Sequence, residues 1–191
     1  MRSSLSIALV LFLFVAGAVQ SQNVKLQSSS DIKVEGTSNI HDWELNAEEK
    51  SGSAVLESEE GKIIGLQSLE VTIPAEGLKS GKGGMDKNTY KALNTKKHKN
   101  IEFKLEEVKD FQDTGNNLYK VKGIGTLKIA GTSKQIPLDF TMKVINGSSV
   151  KITGEKTLNM TDYKVDPPTA MFGTITTGEE VTIKFTTNFS K

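Results

Sequence analysis

The 191-residue sequence contains no cysteine. That excludes a disulfide framework, a thiolate nucleophile, cysteine-based zinc or iron–sulfur sites, and anchoring through a lipidated cysteine. Stability must come from a packed interior. Arginine is almost missing too: of the 24 basic residues only Arg2 is arginine, and the other 23 are lysines facing 23 acidic residues. Bidentate guanidinium contacts to phosphate or carboxylate are therefore unavailable to the body of the chain. A formal net charge of +1 offers no broad attraction to nucleic acid. The one basic run, Lys96-Lys97-His98-Lys99, is short and reads as a solvated loop face. With only two histidines, His41 and His98, a zinc site lacks the three converging ligands it needs. There is no Gly-x-Ser-x-Gly elbow, and Gly81-Lys82-Gly83-Gly84 lacks the spacing of a phosphate cradle. These absences leave no metal ligand set and no catalytic residue to nominate.

The longest apolar run, Leu5–Ala18, covers 14 residues, short of the roughly 20 that span a bilayer. It follows Arg2 and leads into the small residues Ala16, Gly17, Ala18 and Ser21. That is the layout of a secretory signal peptide, cleaved between Ala18 and Gln22. The expectation is a leader over residues 1–21 and one domain over residues 22–191, periplasmic or secreted and not lipid-anchored. About 170 residues suffice for one domain with a substantial core.

What the chain does have is period-two alternation. Ile136, Leu138, Phe140, Met142 and Val144 share one face, as do Val181, Ile183, Phe185 and Phe189. Ile101, Phe103 and Leu105, then Leu69, Val71 and Ile73, then Val121, Leu127 and Ile129, repeat the pattern. Such alternation marks antiparallel strands with one apolar and one wet face. Strands are expected near residues 32–38, 43–48, 53–57, 62–74, 100–109, 117–129, 134–145, 150–159 and 179–188. Gly131-Thr132 and Asn146-Gly147 join neighbours, the latter as a two-residue type I′ hairpin. The result is an all-β, antiparallel domain, and the pattern fits a barrel or a sandwich equally.

Two segments interrupt the strands. Met85, Thr89, Ala92 and Leu93 fall on one helical face, with Tyr90 between them, so a short helix is expected over Met85–Leu93. Further on, Asp166 and Pro167 are placed to start a helical turn that Gly173 ends, leaving Ala170, Met171 and Phe172 as an apolar knob. The knob reads either as a gate or as a plug. His41-Asp42-Trp43 invites a catalytic reading, but adjacent strand residues point to opposite faces, and a polar cluster at one barrel end fits better.

The stretch Gly36-Thr37-Ser38-Asn39-Ile40-His41-Asp42-Trp43, with Asp166-Pro167-Pro168-Thr169-Ala170-Met171-Phe172-Gly173-Thr174-Ile175, resembles the YceI-like family of secreted bacterial lipid-binding proteins. The Met85-Asp86 start and Ala92-Leu93 end of the helix are similar to that family as well; the common proline before the next strand is replaced here by Lys99-Asn100. The resemblance implies a lipocalin-like barrel of about eight strands with one or two short helices at its mouth. It implies a non-enzymatic carrier that holds a polyisoprenoid, an isoprenoid quinone or a similar lipid, with no other cofactor. It also leaves room for transient membrane-surface contact and for a homodimer. The expected lumen lining is Trp43 at the floor with Phe103, Phe140, Met142, Met160, Met171, Phe172 and Phe185, and a mouth helix contributing Met85, Tyr90 and Leu93. The alternative is an envelope structural, interaction or stress-response protein with a side-chain-filled barrel and no lipid. An enzyme built on His41, Asp42 and Lys87 ranks third.

Overall fold

The computed structural model describes residues 19–191. Except for its last three residues, the expected leader lies outside them. The elements run β1 (Gln20–Leu26), β2 (Asp31–Ser38), β3 (Trp43–Ala47), β4 (Ser51–Glu59), β5 (Lys62–Pro74) and β6 (Leu78–Lys79). Helix α1 (Gly83–Ala92) follows, then β7 (Asn100–Asp113), β8 (Leu118–Ile129), β9 (Thr132–Asn146) and β10 (Ser149–Asn159). A 3₁₀ turn (Met160–Tyr163), β11 (Thr169–Ala170), a second 3₁₀ turn (Met171–Gly173) and β12 (Ile175–Ser190) complete the chain. All pairings are antiparallel.

Eight strands close a ring in the order β1-β4-β5-β7-β8-β9-β10-β12, and Lys25↔Ser190 with Leu26↔Phe189 makes the seam. At the other end β12 pairs with β2, which carries β3 and β6. So β1 and β2 are two pieces of one traverse along β12. At their break the Ser30 hydroxyl accepts from the Asn188 amide at 2.9 Å and stands in for the missing ladder bond. The barrel thus solves the unpaired-edge problem of an open sheet by closure.

Alternation supplies the interior, and the interior divides by height. At the closed end Val24, Leu56, Val121, Phe140, Met142, Ile152 and Phe189 pack into a solid core. There β5 and β7 part below Glu70↔Lys104. Tyr119 fills the gap, its ring 4.8 Å from that of Phe111 and its hydroxyl donating to the Ile63 carbonyl at 3.1 Å. At the open end a second cluster gathers Ile32, Leu45, Ile73, Leu78, Leu127, Tyr163 and Val165. Here β9 and β10 part above Phe140↔Gly154, and Pro137, which has no amide to donate, sits on the stretch of β9 that pairs with β8 alone.

Four local expectations are corrected. Strand β1 was not foreseen, because QSQNVKL buries only Val24 and shows no alternation. The Asn146-Gly147 hairpin is shifted by one residue: Asn146 pairs with Ser149, the loop is Gly147–Ser148, and neither has positive φ. The Asn146 carboxamide accepts from the Ser148 amide at 3.1 Å instead. The left-handed pair falls at Ala130–Gly131 (φ 47° and 79°), one residue before the expected turn. Finally, Asp166-Pro167 opens no helical turn, since a residue before proline is driven to extended backbone and Pro167 itself precedes Pro168. The turns form on either side, at Met160–Tyr163 and Met171–Gly173.

Phe140 is 5% exposed, and its Cβ lies 3.0 Å from where a Cβ on Gly154 would stand. Its neighbourhood has no spare volume. The Phe140→Trp variant should therefore lose about 1–3 kcal/mol of stability by overpacking, read as a lower Tm of lipid-free protein, with ligand uptake by the folded fraction unchanged.

Candidate lipid-binding cavity

The open half of the barrel encloses a cavity of about 690 Å³, within the roughly 300–1,000 Å³ typical of sites for drug-sized ligands. Ile32, Val34 and Leu45 from the β2–β3 hairpin, Ile101 from β7, Leu158 from β10, and Val181 and Ile183 from β12 line its wall. Helix α1 covers one side with Met85, Ala92 and Leu93. Lys82 and Lys87 are its lysines, and among the described residues no carboxylate lines it. A deeper chamber of about 100 Å³ shares Ile32, Ile73, Ile101 and Ile183 with the main cavity and is lined further down by Phe103 and Phe185 and by Leu69, Leu138 and Ile152 of the closed-end core.

Three aromatic side chains reach into this space by lying on glycines of the neighbouring strand. A Cβ at Gly36 would stand 2.2 Å from Trp43 Cζ2, one at Gly125 would stand 2.5 Å from Phe103 Cζ, and one at Gly154 would stand 2.6 Å from Phe185 Cζ. Gly36 and Trp43, like Gly154 and Phe185, are direct cross-strand partners. A strand glycine commonly marks such a close approach. Phe103 and Phe185 pack against both clusters and so form the floor between solid core and cavity.

The expected lining residues fall in three groups. Trp43, Met160 and Met171 line the main cavity, and Phe103 and Phe185 line the deeper chamber. Phe140 and Met142 face inward but lie below the floor, in the closed-end core, with Met142 0% exposed. Phe172 points to solvent, fully exposed, and Met171 is 70% exposed. Both have left-handed φ, 55° and 51°; Phe172 turns outward, while Ala170 and Met171 stay at the cavity rim, so the knob does not plug the barrel. Trp43 is not at the floor. It begins β3 beside the open-end turn that carries Ile40 and His41, and its indole N–H donates to the Thr37 carbonyl at 2.9 Å.

On the mouth helix, Met85 and Leu93 line the cavity but Tyr90 does not. The Tyr90 hydroxyl donates to the Glu76 carbonyl at 2.9 Å and accepts from Lys79 Nζ at 2.7 Å, tying α1 to the barrel. Asp86 ties its start: the carboxylate accepts from the Ser80 amide at 2.8 Å and the Ser80 hydroxyl at 2.6 Å, and these bonds hold its pKa below the usual value. His41 and Asp42 are exposed, and His41 Nδ1 meets the Asp42 backbone carbonyl at 2.7 Å, not a carboxylate. Among the described residues no group of three or more His, Cys, Asp or Glu is placed to hold a metal. Sequence reasoning missed the aliphatic wall, Ile32, Ile73, Ile101, Leu158 and Ile183. Its signal was present in the alternation but was outweighed by the aromatics and methionines.

The profile of the YceI-like domain matches residues 18–189. The chain belongs to the YceI-like family. Three solved structures share the architecture, each at an identity too low to carry more than the fold. BcnA of Burkholderia cenocepacia is 18% identical, with a TM-score of 0.62 over 83% of this chain and 95% of that one. A polyisoprenoid-binding domain from Saccharophagus degradans, implicated in plant cell wall breakdown, is 11% identical, with a TM-score of 0.63 over 87% and 97%. The YceI protein of Campylobacter jejuni is 19% identical, with a TM-score of 0.60 over 77% and 84%. No curated protein sequence matches the chain.

A Cβ at Gly125 would also stand 2.7 Å from the Lys104 carbonyl, a contact that side-chain motion cannot relieve. The Gly125→Ala change in this YceI-like barrel should therefore cost about 1–3 kcal/mol and push the Phe103 ring into the deeper chamber. Gly154→Ala, opposed by ring carbons of Phe185 and by the Phe140 Cβ at 3.0 Å, should cost less. Thermal melts of both variants against wild type check the order.

Proposed function

We propose that this protein is a non-enzymatic carrier that holds a long-chain amphiphile, a polyisoprenoid or a lipid of similar build, outside the cytoplasm. The carrying observation is the apolar space of the open half, a cavity of about 690 Å³ with an adjoining chamber of about 100 Å³ deeper in the barrel. Each methylene that enters it gains roughly 0.8 kcal/mol over water. The polyisoprenoid binding named for the similar Saccharophagus domain supports the same ligand class. Lys82 and Lys87 stand among the lining and offer a polar head donors, with no carboxylate among the described lining residues. The extracytoplasmic location rests on the leader-like residues 1–21 of the sequence. The alternative of a side-chain-filled barrel describes the closed half of the interior, whereas the open half contains the room a ligand needs.

Organic extraction of purified protein, followed by mass spectrometry, should recover a long-chain lipid. Recovery of none, with no uptake of added isoprenoids, would overturn the reading. Leu158 lines the cavity away from the solid core. A Leu158→Trp indole displaces on the order of two or three methylenes at about 0.8 kcal/mol each, so affinity should fall roughly tenfold or more with Tm little changed.

A further inference from the structure

The rim of the cavity carries apolar surface that the fold leaves uncovered. Among the described residues six large apolar side chains are exposed, and three of them, Ile40, Met171 and Phe172, stand at the open end. Ile40 and Met171 line the mouth of the main cavity. Phe172, next in the chain, is fully exposed, so no other described residue covers it. The two loops that bear these residues are stitched together. Asn39 N–H donates to the Thr176 carbonyl at 3.1 Å, its Nδ2 donates to the Thr174 carbonyl at 2.9 Å, and Thr176 N–H donates to Asn39 Oδ1 at 3.0 Å. Met171 and Phe172 form the tip of the β11–β12 hairpin, both with left-handed φ. That backbone region is costly for bulky side chains and is concentrated at functional sites. Here two successive bulky apolar residues occupy it, and one is held out in water. Neither packing nor turn chemistry accounts for the choice.

We infer that this rim docks on an anionic lipid bilayer: Phe172 and Met171 insert at the boundary of headgroups and acyl chains, and the cavity mouth is set against the membrane. This rests on the lipid-carrier reading and deepens it, since a chain could then pass between bilayer and cavity without crossing water. Three observations favour a bilayer over a protein partner. The patch is three side chains, far short of the roughly 20–30 residues a side of a stable protein interface. It is a protruding tip, which a fluid interface admits by apolar insertion but which a protein would have to meet with a pocket. Lys82 and Lys87 are exposed on the α1 side of the same mouth, where no carboxylate is among the described lining residues. Asp86, in the first turn of α1, is occupied by the Ser80 amide and hydroxyl. Asp42 is exposed beside His41 and opposes the lysines by one charge. The apolar tip therefore carries most of the affinity, and the lysines add a preference for anionic headgroups.

Because the chain has no cysteine, Thr174→Cys beside the tip and Gly147→Cys in the closed-end β9–β10 loop each give one site for an environment-sensitive fluorophore; both positions are exposed. With vesicles of equimolar phosphatidylcholine and phosphatidylglycerol, the Thr174→Cys label should shift to the blue and be quenched by brominated acyl chains. The Gly147→Cys label should not respond. Phe172→Asn places a residue that tolerates left-handed backbone. It should weaken vesicle binding on the order of tenfold without lowering Tm. Its uptake of farnesol from solution, read by the fluorescence of the cavity-lining Trp43, should be unchanged, since Phe172 does not line the cavity. Lys82→Gln and Lys87→Gln should each weaken binding to these vesicles roughly fivefold and leave binding to pure phosphatidylcholine unchanged. Farnesol uptake with no response of the Thr174→Cys label, or with a response of the Gly147→Cys label instead, would overturn the docking surface and leave the carrier reading standing. So would vesicle binding that Phe172→Asn leaves intact, or a lower Tm of that variant, which would show the ring packed within the fold. Self-association abolished by Phe172→Asn, with no vesicle binding, would overturn it in favour of a second copy of the chain. No vesicle binding and no farnesol uptake would overturn both readings.

Discussion

The structure turns on the contact between aromatic rings and strand glycines. Phe103 on Gly125 and Phe185 on Gly154 let two large side chains lie against the barrel wall, where any Cβ would hold them off. An eight-stranded barrel has an interior just wide enough for side chains or one slender ligand. The two rings decide which it is at each height. Below them the inward residues pack into the closed-end core, and only the small chamber of about 100 Å³ reaches Leu69, Leu138 and Ile152. Above them the lining is aliphatic, the wall parts between β9 and β10, and space remains. Trp43 on Gly36 repeats the device near the mouth.

This division assigns stability and binding to different halves of one sheet. The closed end contains side chains such as Val24, Leu56, Met142 and Ile152 with no exposure at all, and it can carry the fold without a ligand, disulfide or metal. The open end is then free to keep apolar surface unfilled. Helix α1 needs no buried residue of its own for this role. It is held by polar ties, Tyr90 to Glu76 and Asp86 to Ser80, and presents Met85 and Leu93 to the cavity. Polar ties of this kind let a cover stay in place without filling the space beneath it.

Much of the architecture was legible in the chain. Alternation identified the inward faces of β5, β7, β8, β9, β10 and β12, because a half-buried strand has no other way to satisfy both its faces. Alternation cannot give height. Phe140 and Phe185 have the same inward sense, yet one is core and the other is cavity floor, and only the register of neighbouring strands separates them. The usable signal was an inward glycine beside an aromatic strand, which Gly125 and Gly154 supply. Strand β1 was hidden because a mostly polar segment with one buried valine looks like a linker. The outward turn of Phe172 was not legible, since it depends on what surrounds it in the fold.

The central claim is that an apolar chain occupies the space above the Phe103–Phe185 floor and nothing occupies the space below. Isotope-filtered nuclear Overhauser spectroscopy on methyl-labelled protein with a bound isoprenoid tests this directly. Contacts are expected from the ligand to the methyls of Ile73, Ile101, Leu158 and Ile183, which line the cavity, and none to Val24, Val121 or Met142 in the closed-end core. Ligand contacts to the second set, or to neither, would contradict the account.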